Sequence, residues 1–411
     1  LEVPLYRGIL TGLNEAFILS KEEKEDLDYE GEHIKPLLKG KDVHRFEVDY
    51  NDRYLLRIPS GWTKGESGIR DEEEAWEWFS TQFPSLSNHL ADFETKAKSR
   101  HDRGEFWWEL RPCDYYDSFE GEKIVYPVIS KGPNFALDRE GYYINDKLYT
   151  IPGERLALLG ILNSNLIHFW LQAELSGLRG GYQEFRATHV EEVPISDDIS
   201  KSGEIQTLVK DATNLRQQLE QLNLNLPSYL GNYEDGPVLP DIGLFQPMSS
   251  SILNATTEDY EKLQLENVRT KRDGNDVSIE ATARYKPQDE DTHETDTWGY
   301  TETDYQDAFQ LTDLTDEEAA LVEAFVPVAV EEEIGGFRDN ATQTCSLIDR
   351  LKDIELPDID DVQDDLERYI ETKERADKLK ANIKKTDQLI DDIVYDLYNL
   401  TDEEIKIVEK T

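Results

Sequence analysis

Hydrophobic positions change their period several times along the chain, and each change predicts an element. Short apolar runs at 14–19 and 53–58 predict strands. The run KIVYPVI at 123–129 predicts a buried strand, with Pro127 placing it at an edge or a bulge. Leu156, Leu159, Leu162, Leu166, Phe169 and Trp170 step by three and four and predict one helix over 154–173. Ile205, Leu208, Ala212, Leu215, Leu219 and Leu222 form a single stripe and predict an amphipathic helix over 202–224. Pro, Gly and Ser punctuate 227–251, which reads as irregular. Val277, Ile279, Ala281, Ala283 and Tyr285 then alternate strictly behind Asp273-Gly274, a hairpin pattern. An acidic, Thr-rich loop is expected at 288–304 and a helix at 317–328. From Ile359 to Leu397 apolar residues again step by three and four, with a weak middle near Arg375. This predicts one or two helices, coiled-coil-like, packing on 202–224.

These elements imply an α+β fold. The expected division is a mixed-sheet domain at 1–198 closed by Pro194 and Ser196-Asp197-Asp198, a helix and irregular linker at 199–256, a small β-hairpin element at 257–312, and a helical region at 313–411. No internal repeat of about 20–50 residues is present. No run of about 18 apolar residues occurs, and no basic-then-apolar leader opens the chain, so a cytoplasmic, membrane-free location is expected. The N-glycosylation-type tripeptides at Asn254, Asn340 and Asn399 are then read as chance.

The charge changes the picture. Against 44 Lys and Arg stand 88 Asp and Glu, a formal net charge of −44 over 411 residues. Residues 1–198 hold 23 basic and 38 acidic side chains, a balance of −15; the remainder holds 44 − 23 = 21 and 88 − 38 = 50, a balance of −29. The favoured reading is a carboxylate surface suited to a potassium-chloride-rich cytoplasm. A protein that mimics DNA with its carboxylates is the alternative. An acidic solvating tail is disfavoured because the charge is spread rather than blocked. If any part meets a polyanion, it is the relatively basic first half.

Known catalytic patterns are missing. Neither a phosphate-binding G-x-x-x-x-G-K-[ST] nor a strand-borne G-x-G-x-x-G occurs, nor H-E-x-x-H, nor G-x-S-x-G. The seven histidines lack metal-ligand spacing, and Cys113 and Cys345 cannot build a four-cysteine zinc site or a disulfide framework. Pro357-Asp358 fits the start of a solvent-facing helix better than a nuclease motif.

Three groups of residues suit binding instead. Lys96, Lys98, Arg100, Arg103 and Arg111 surround Phe106, Trp107 and Trp108, where cations could neutralise phosphates and indoles stack on bases; the competing reading buries the indoles beneath snorkelling cations. Lys35, Lys39, Lys41 and Arg45 flank Gly40. Gly177-Leu178-Arg179-Gly180-Gly181-Tyr182, followed by Arg186, could bring backbone amides close to an anion or merely stop a helix.

In this order the clusters carry a resemblance. RGILTGLNEAF at 7–17, IKPLLKGKD at 34–42, KIVYPVIS at 123–130, Asn134-Phe135-Ala136, ILNS at 161–164, LRGGYQEF at 178–185 and Val193-Pro194-Ile195 resemble the TaqI-like C-terminal specificity domain of type IIG restriction-modification enzymes and adenine-specific DNA methyltransferases. The segment 393–401 resembles the end of such polypeptides in salt-loving archaea. The resemblance implies a domain that grips duplex DNA for an upstream methyltransferase domain, which binds S-adenosylmethionine and flips adenine using an N-P-P-Y-type motif. This chain has no such motif, so no cofactor and no catalytic residue are expected in it. The DNA contacts so implied are Thr11, Gly12, Asn14, Lys35, Lys39, Lys41, Arg179, Gly180, Gly181, Tyr182 and Arg186, with Trp107, Trp108 and Arg111 beside them. Given the anionic shell, DNA binding is expected to survive or require high potassium, where screening reaches about 3 Å or less.

Overall fold

A computed structural model describes residues 3–27, 33–175, 177–196, 202–249, 251–288, 293–338 and 344–410. The architecture is α+β with several small sheets. Contacts group Leu1–Gln221 with Leu379–Thr411 as one compact unit and Leu222–Lys378 as another. This differs from the four expected segments, because helix Ile359–Leu397 runs unbroken through Arg375 and contributes to both units. Asp197, Asp198, the expected boundary at 198 and the tripeptide at Asn340 lie outside the described residues.

In the first unit, strands Tyr6–Arg7, Leu148–Pro152, Lys123–Pro127 and Ala136–Asp138 form an antiparallel sheet in that order. The 123–127 strand is therefore interior, not an edge, and Pro127 closes it without leaving a ladder position unpaired in the sheet's middle. A second, mixed sheet orders Tyr143–Ile144, Ile34–Leu38, Tyr54–Leu56 and Ile18–Leu19, the first pair parallel. The run 14–19 is mostly not a strand: Asn14–Phe17 is a helical turn that buries Ala16 and Phe17, and only Ile18–Leu19 is extended. Likewise 154–173 is two helices, Leu156–Leu162 and Asn165–Glu174, bent by 59°. The Asn163 carboxamide breaks the run by binding both backbone groups of Phe135, at 3.1 and 2.8 Å, and the Ser164 hydroxyl caps the next helix at the Ile167 amide.

Helix Ser202–Glu220 buries Ile205, Val209 and Ala212. It presses so closely on Leu156–Leu162 that a Cβ on Gly160 would lie 2.5 Å from Ile205 Cγ2. Ile390, Val394 and Leu397 from the long helix join this core, together with sheet residues Tyr126 and Ile151. The expected partnership with 202–224 thus takes the form of a shared mixed core, not a two-helix seam.

In the second unit, strands Leu244–Pro247, Gln306–Thr312, Asp276–Lys286 and Glu261–Asp273 lie in that order, and Thr301–Glu302 adds a fifth strand beside Asp276–Lys286. The hairpin turns at Gly274, φ +61°. It belongs to a five-stranded sheet rather than a small insertion, with Asp276–Lys286 interior and Glu261–Asp273 at an edge, because 244–247, expected to be irregular, is one of its strands. Helix Asp316–Glu331, opened by a Thr315–Glu318 capping box, buries nine apolar residues in the unit's core. Among the described residues, no single helix is long and apolar enough to cross a membrane.

Candidate nucleic-acid interface

The first cluster of aromatics and cations is structural. Trp107 and Trp108 are 1% and 0% exposed. Phe106 stacks on Trp108 at 4.7 Å, Trp76 meets Trp107 at 4.5 Å, and the Trp108 indole N–H donates to Thr63 Oγ1 at 3.0 Å. Neither indole can stack on a base, and this corrects the expectation. Beside them the buried Glu109 carboxylate accepts the amides of Gly61, Thr63 and Phe106 at 2.8, 3.0 and 3.2 Å. The Arg100 guanidinium is spent on the carbonyls of Thr11, Trp107 and Glu109, at 2.6–2.8 Å, and burial lowers its pKa to about 10. Arg111 is half-exposed, 3.6 Å from Asp102.

The 7–17 motif is also mainly a brace. Thr11 is buried; its hydroxyl donates to Asn14 Oδ1 at 2.7 Å and accepts the Leu13 amide, while Gly12 turns the chain at φ +67°. Asn14 itself is exposed. Gly8 lies against a turn at 145–147: a Cβ there would sit 2.0 Å from the Asn145 carbonyl oxygen. Arg7 holds the same turn through the Asp146 carbonyl and carboxylate, at 3.1 and 3.6 Å.

That turn forms part of a cleft of about 680 Å³. One wall is the loop after strand Ile34–Leu38, carrying Lys39, Gly40, Lys41 and His44. Buried Asp42 shapes this loop by accepting the Lys39 amide at 2.7 Å and pairing with Arg53. The floor is 127–134, joined to the turn by the Val128 amide on the Lys147 carbonyl at 2.9 Å. Tyr182 completes the lining from the 177–183 hairpin, whose Gln183–Glu184 strand pairs with Ile129–Ser130. The Leu178 amide reaches the Tyr182 carbonyl at 2.6 Å, and the tip glycines Gly180 and Gly181 take φ +81° and +76°. This geometry, not a helix stop alone, explains the paired glycines.

Lys39, Lys41, Lys131 and Lys147 line the cleft with Asn134, Asn145 and Tyr182; among the described residues no carboxylate lines it, although Lys147 pairs with Asp146 at 3.2 Å in the adjoining turn. In a chain of net charge −44 this is a local inversion of sign. Burial, helped by Arg53 and Lys41 and opposed by Asp42, pushes the Lys39 ammonium below its usual pKa. A bound anion would relieve that crowding. Lys131 Nζ lies 5.2 Å from the Tyr182 ring centre, leaving that side chain 42% exposed.

Of the residues expected from sequence, Lys39, Lys41 and Tyr182 line the cleft, and Arg179, Gly180 and Gly181 are exposed on the hairpin that carries Tyr182. Arg186 pairs with Glu184 at 2.7 Å just beyond. Lys35 stays half-buried on its strand, and Thr11, Gly12, Asn14, Trp107, Trp108 and Arg111 do not line the cleft. Sequence reasoning missed Lys131 and Lys147. The first directly follows the KIVYPVIS motif; the second had no signal, sitting alone in YINDKLY. Among the described residues, no group of three His, Cys, Asp or Glu side chains could hold a metal ion.

A search of curated proteins finds no match. Among solved structures, the chain is similar to the type IIL restriction-modification enzyme MmeI in complex with DNA, with 13% identity and a TM-score of 0.38. That match covers 53% of this chain and only 28% of the MmeI chain. It is also similar to a type I restriction-modification S subunit from M. genitalium, with 11% identity and a TM-score of 0.35, covering 70% of this chain and 85% of the other. Every residue lining the cleft falls within 35–195, the span that matches the family model of the TaqI-like C-terminal specificity domain.

Proposed function

We propose that the first unit is the sequence-recognising part of a restriction-modification or phage-defence system, acting on duplex DNA for an adenine-N6 methyltransferase domain carried upstream. The observation that carries this reading is the cleft: four lysines and, among the described residues, no carboxylate in its lining, on a polyanionic protein. Ammonium groups there would neutralise backbone phosphates and fix register, leaving the hairpin and the Asn134 carboxamide near the base edges. The methyl donor belongs to the upstream domain. S-adenosylmethionine does not fit this cleft, which offers no carboxylate for its ribose hydroxyls or its sulfonium and amino charges, so no step is routed through it here.

The test is duplex binding by fluorescence anisotropy across a potassium chloride series. With the cytoplasm expected to be salt-rich, binding should persist at high potassium, where repulsion from the anionic shell is screened. Lys41→Gln, Lys131→Gln and Lys147→Gln together should weaken binding to all duplexes alike and flatten the salt slope by about 0.9 per lysine holding a phosphate. No affinity for duplex DNA at any salt would refute the reading and favour a DNA mimic. Steady loss of affinity from the lowest salt upward would refute the halophilic part alone.

A further inference from the structure

The cleft is chemically two-sided. Beside its lysines it carries an apolar lip: Ile129 and Tyr182, which line it, and Leu178, next to Tyr182 on the hairpin, are 50%, 42% and 43% exposed, although their neighbours Tyr126, Phe135 and Phe185 are buried, and the Glu184 carboxylate opposite Ile129 is paired with Arg186 at 2.7 Å. The three come together because strand Ile129–Ser130 pairs with Gln183–Glu184, the Phe185 amide reaches the Val128 carbonyl at 2.7 Å, and the hairpin closes between Leu178 and Tyr182. Exposing such side chains side by side costs solubility with no gain in core packing. The flanking lysines select the occupant of the lip, because a cation-lined cleft on an acidic protein attracts a polyanion.

A two-stranded ribbon of this kind fits the major groove of B-DNA, where the only apolar group on a base edge is the thymine 5-methyl. Resting on the DNA-binding reading above, we infer that Ile129 and Leu178 read thymine methyls and so set part of the target sequence, while Lys39, Lys41, Lys131 and Lys147 hold phosphates without regard to sequence. Backbone strain at Gly180 and Gly181 is avoided by glycine, so the ribbon keeps its shape without a ligand. The target then contains A·T pairs at fixed positions facing the lip.

The experiment selects bound duplexes from a randomised pool with the full chain, then replaces each thymine of the selected site by uracil, which deletes only the methyl. Wild type should lose about fourfold in affinity at one or two positions, the weight of one buried methyl at about 0.8 kcal/mol. In the Ile129→Ser/Leu178→Ser variant the same replacements should cost nothing. Both side chains lie on the surface, and a thermal melt verifies folding. A site with no methyl-sensitive thymine, a pool with no enriched sequence, or a uracil penalty undiminished in the variant overturns the inference while leaving the lysine cleft intact. Failure to bind any duplex instead overturns the reading on which it rests.

Discussion

Lys123 offers the sharpest test of what holds the cleft in place. It opens the interior strand Lys123–Pro127, whose far end leads directly into the cleft floor, and it is fully buried. Its ammonium pairs with Asp138, also buried, and donates to the carbonyls of Phe119 at 2.7 Å and Gly121 at 3.4 Å. Asp138 in turn accepts the amides of Glu140, Gly141 and Tyr142 at 2.9, 3.2 and 2.9 Å. Burial pushes the Asp138 carboxyl up and the Lys123 ammonium down, each opposed by the other's charge. Lys123→Met keeps most of the volume and removes the cation, leaving a buried carboxylate. Such losses cost about 3–5 kcal/mol, and the three amides that remain place this one near 3. Without its partner, Asp138 has a folded pKa further above its unfolded value. Its penalty is full above the folded pKa and fades as pH falls toward the unfolded one, so the difference from wild type should shrink between neutral pH and pH ~4. Adding Asp138→Asn should recover about 2 kcal/mol, since the carboxamide oxygen still accepts an amide. Urea denaturation followed by tryptophan fluorescence isolates this unit, because six of the seven tryptophans lie in it and the other, Trp298, is already 76% exposed. A cost below about 1 kcal/mol, independent of pH and additive with Asp138→Asn, would refute the reasoning.

Other perturbations test neighbouring contacts. Burial raises the Asp391 carboxyl to about 6 although it accepts the Asn165 amide at 2.7 Å. The unit therefore loses up to about 3 kcal/mol as pH rises from ~4 through 6, and Asp391→Asn should remove most of that loss in melts compared at pH 4.5 and 8. Gly8→Ala drives a methyl into the Asn145 carbonyl, so it should lower stability by about 2 kcal/mol or more and weaken DNA binding by displacing Lys147. Trp108→Ala should cost about 3–5 kcal/mol in urea melts yet leave the salt slope of DNA binding unchanged, since the indole is core.

Much of the scaffold was legible because it depends on local periodicity. The stripe at 205–222, the Asp273-Gly274 hairpin and the apolar steps from Ile359 onward each state a period that only one backbone geometry satisfies. The apolar run at 154–173 misled for the same reason: nothing in the pattern shows that Asn163 is claimed by the backbone of Phe135, a partner remote in sequence. The absence of known catalytic motifs, the acidic composition and the candidate clusters were likewise properties of the chain itself.

Which cluster became a surface was a matter of tertiary structure alone. Cations beside indoles at 96–111 and lysines beside a glycine at 35–41 look equally suited to phosphate. Partners far along the chain separated them: Thr11 consumed Arg100 and Thr63 bound Trp108, whereas the turn at Lys147 and the loop at Lys131 came to line one cleft with Lys39 and Lys41. Period is written in neighbouring residues, but the sign of a cleft is a sum over side chains that only folding brings within a few ångströms of one another.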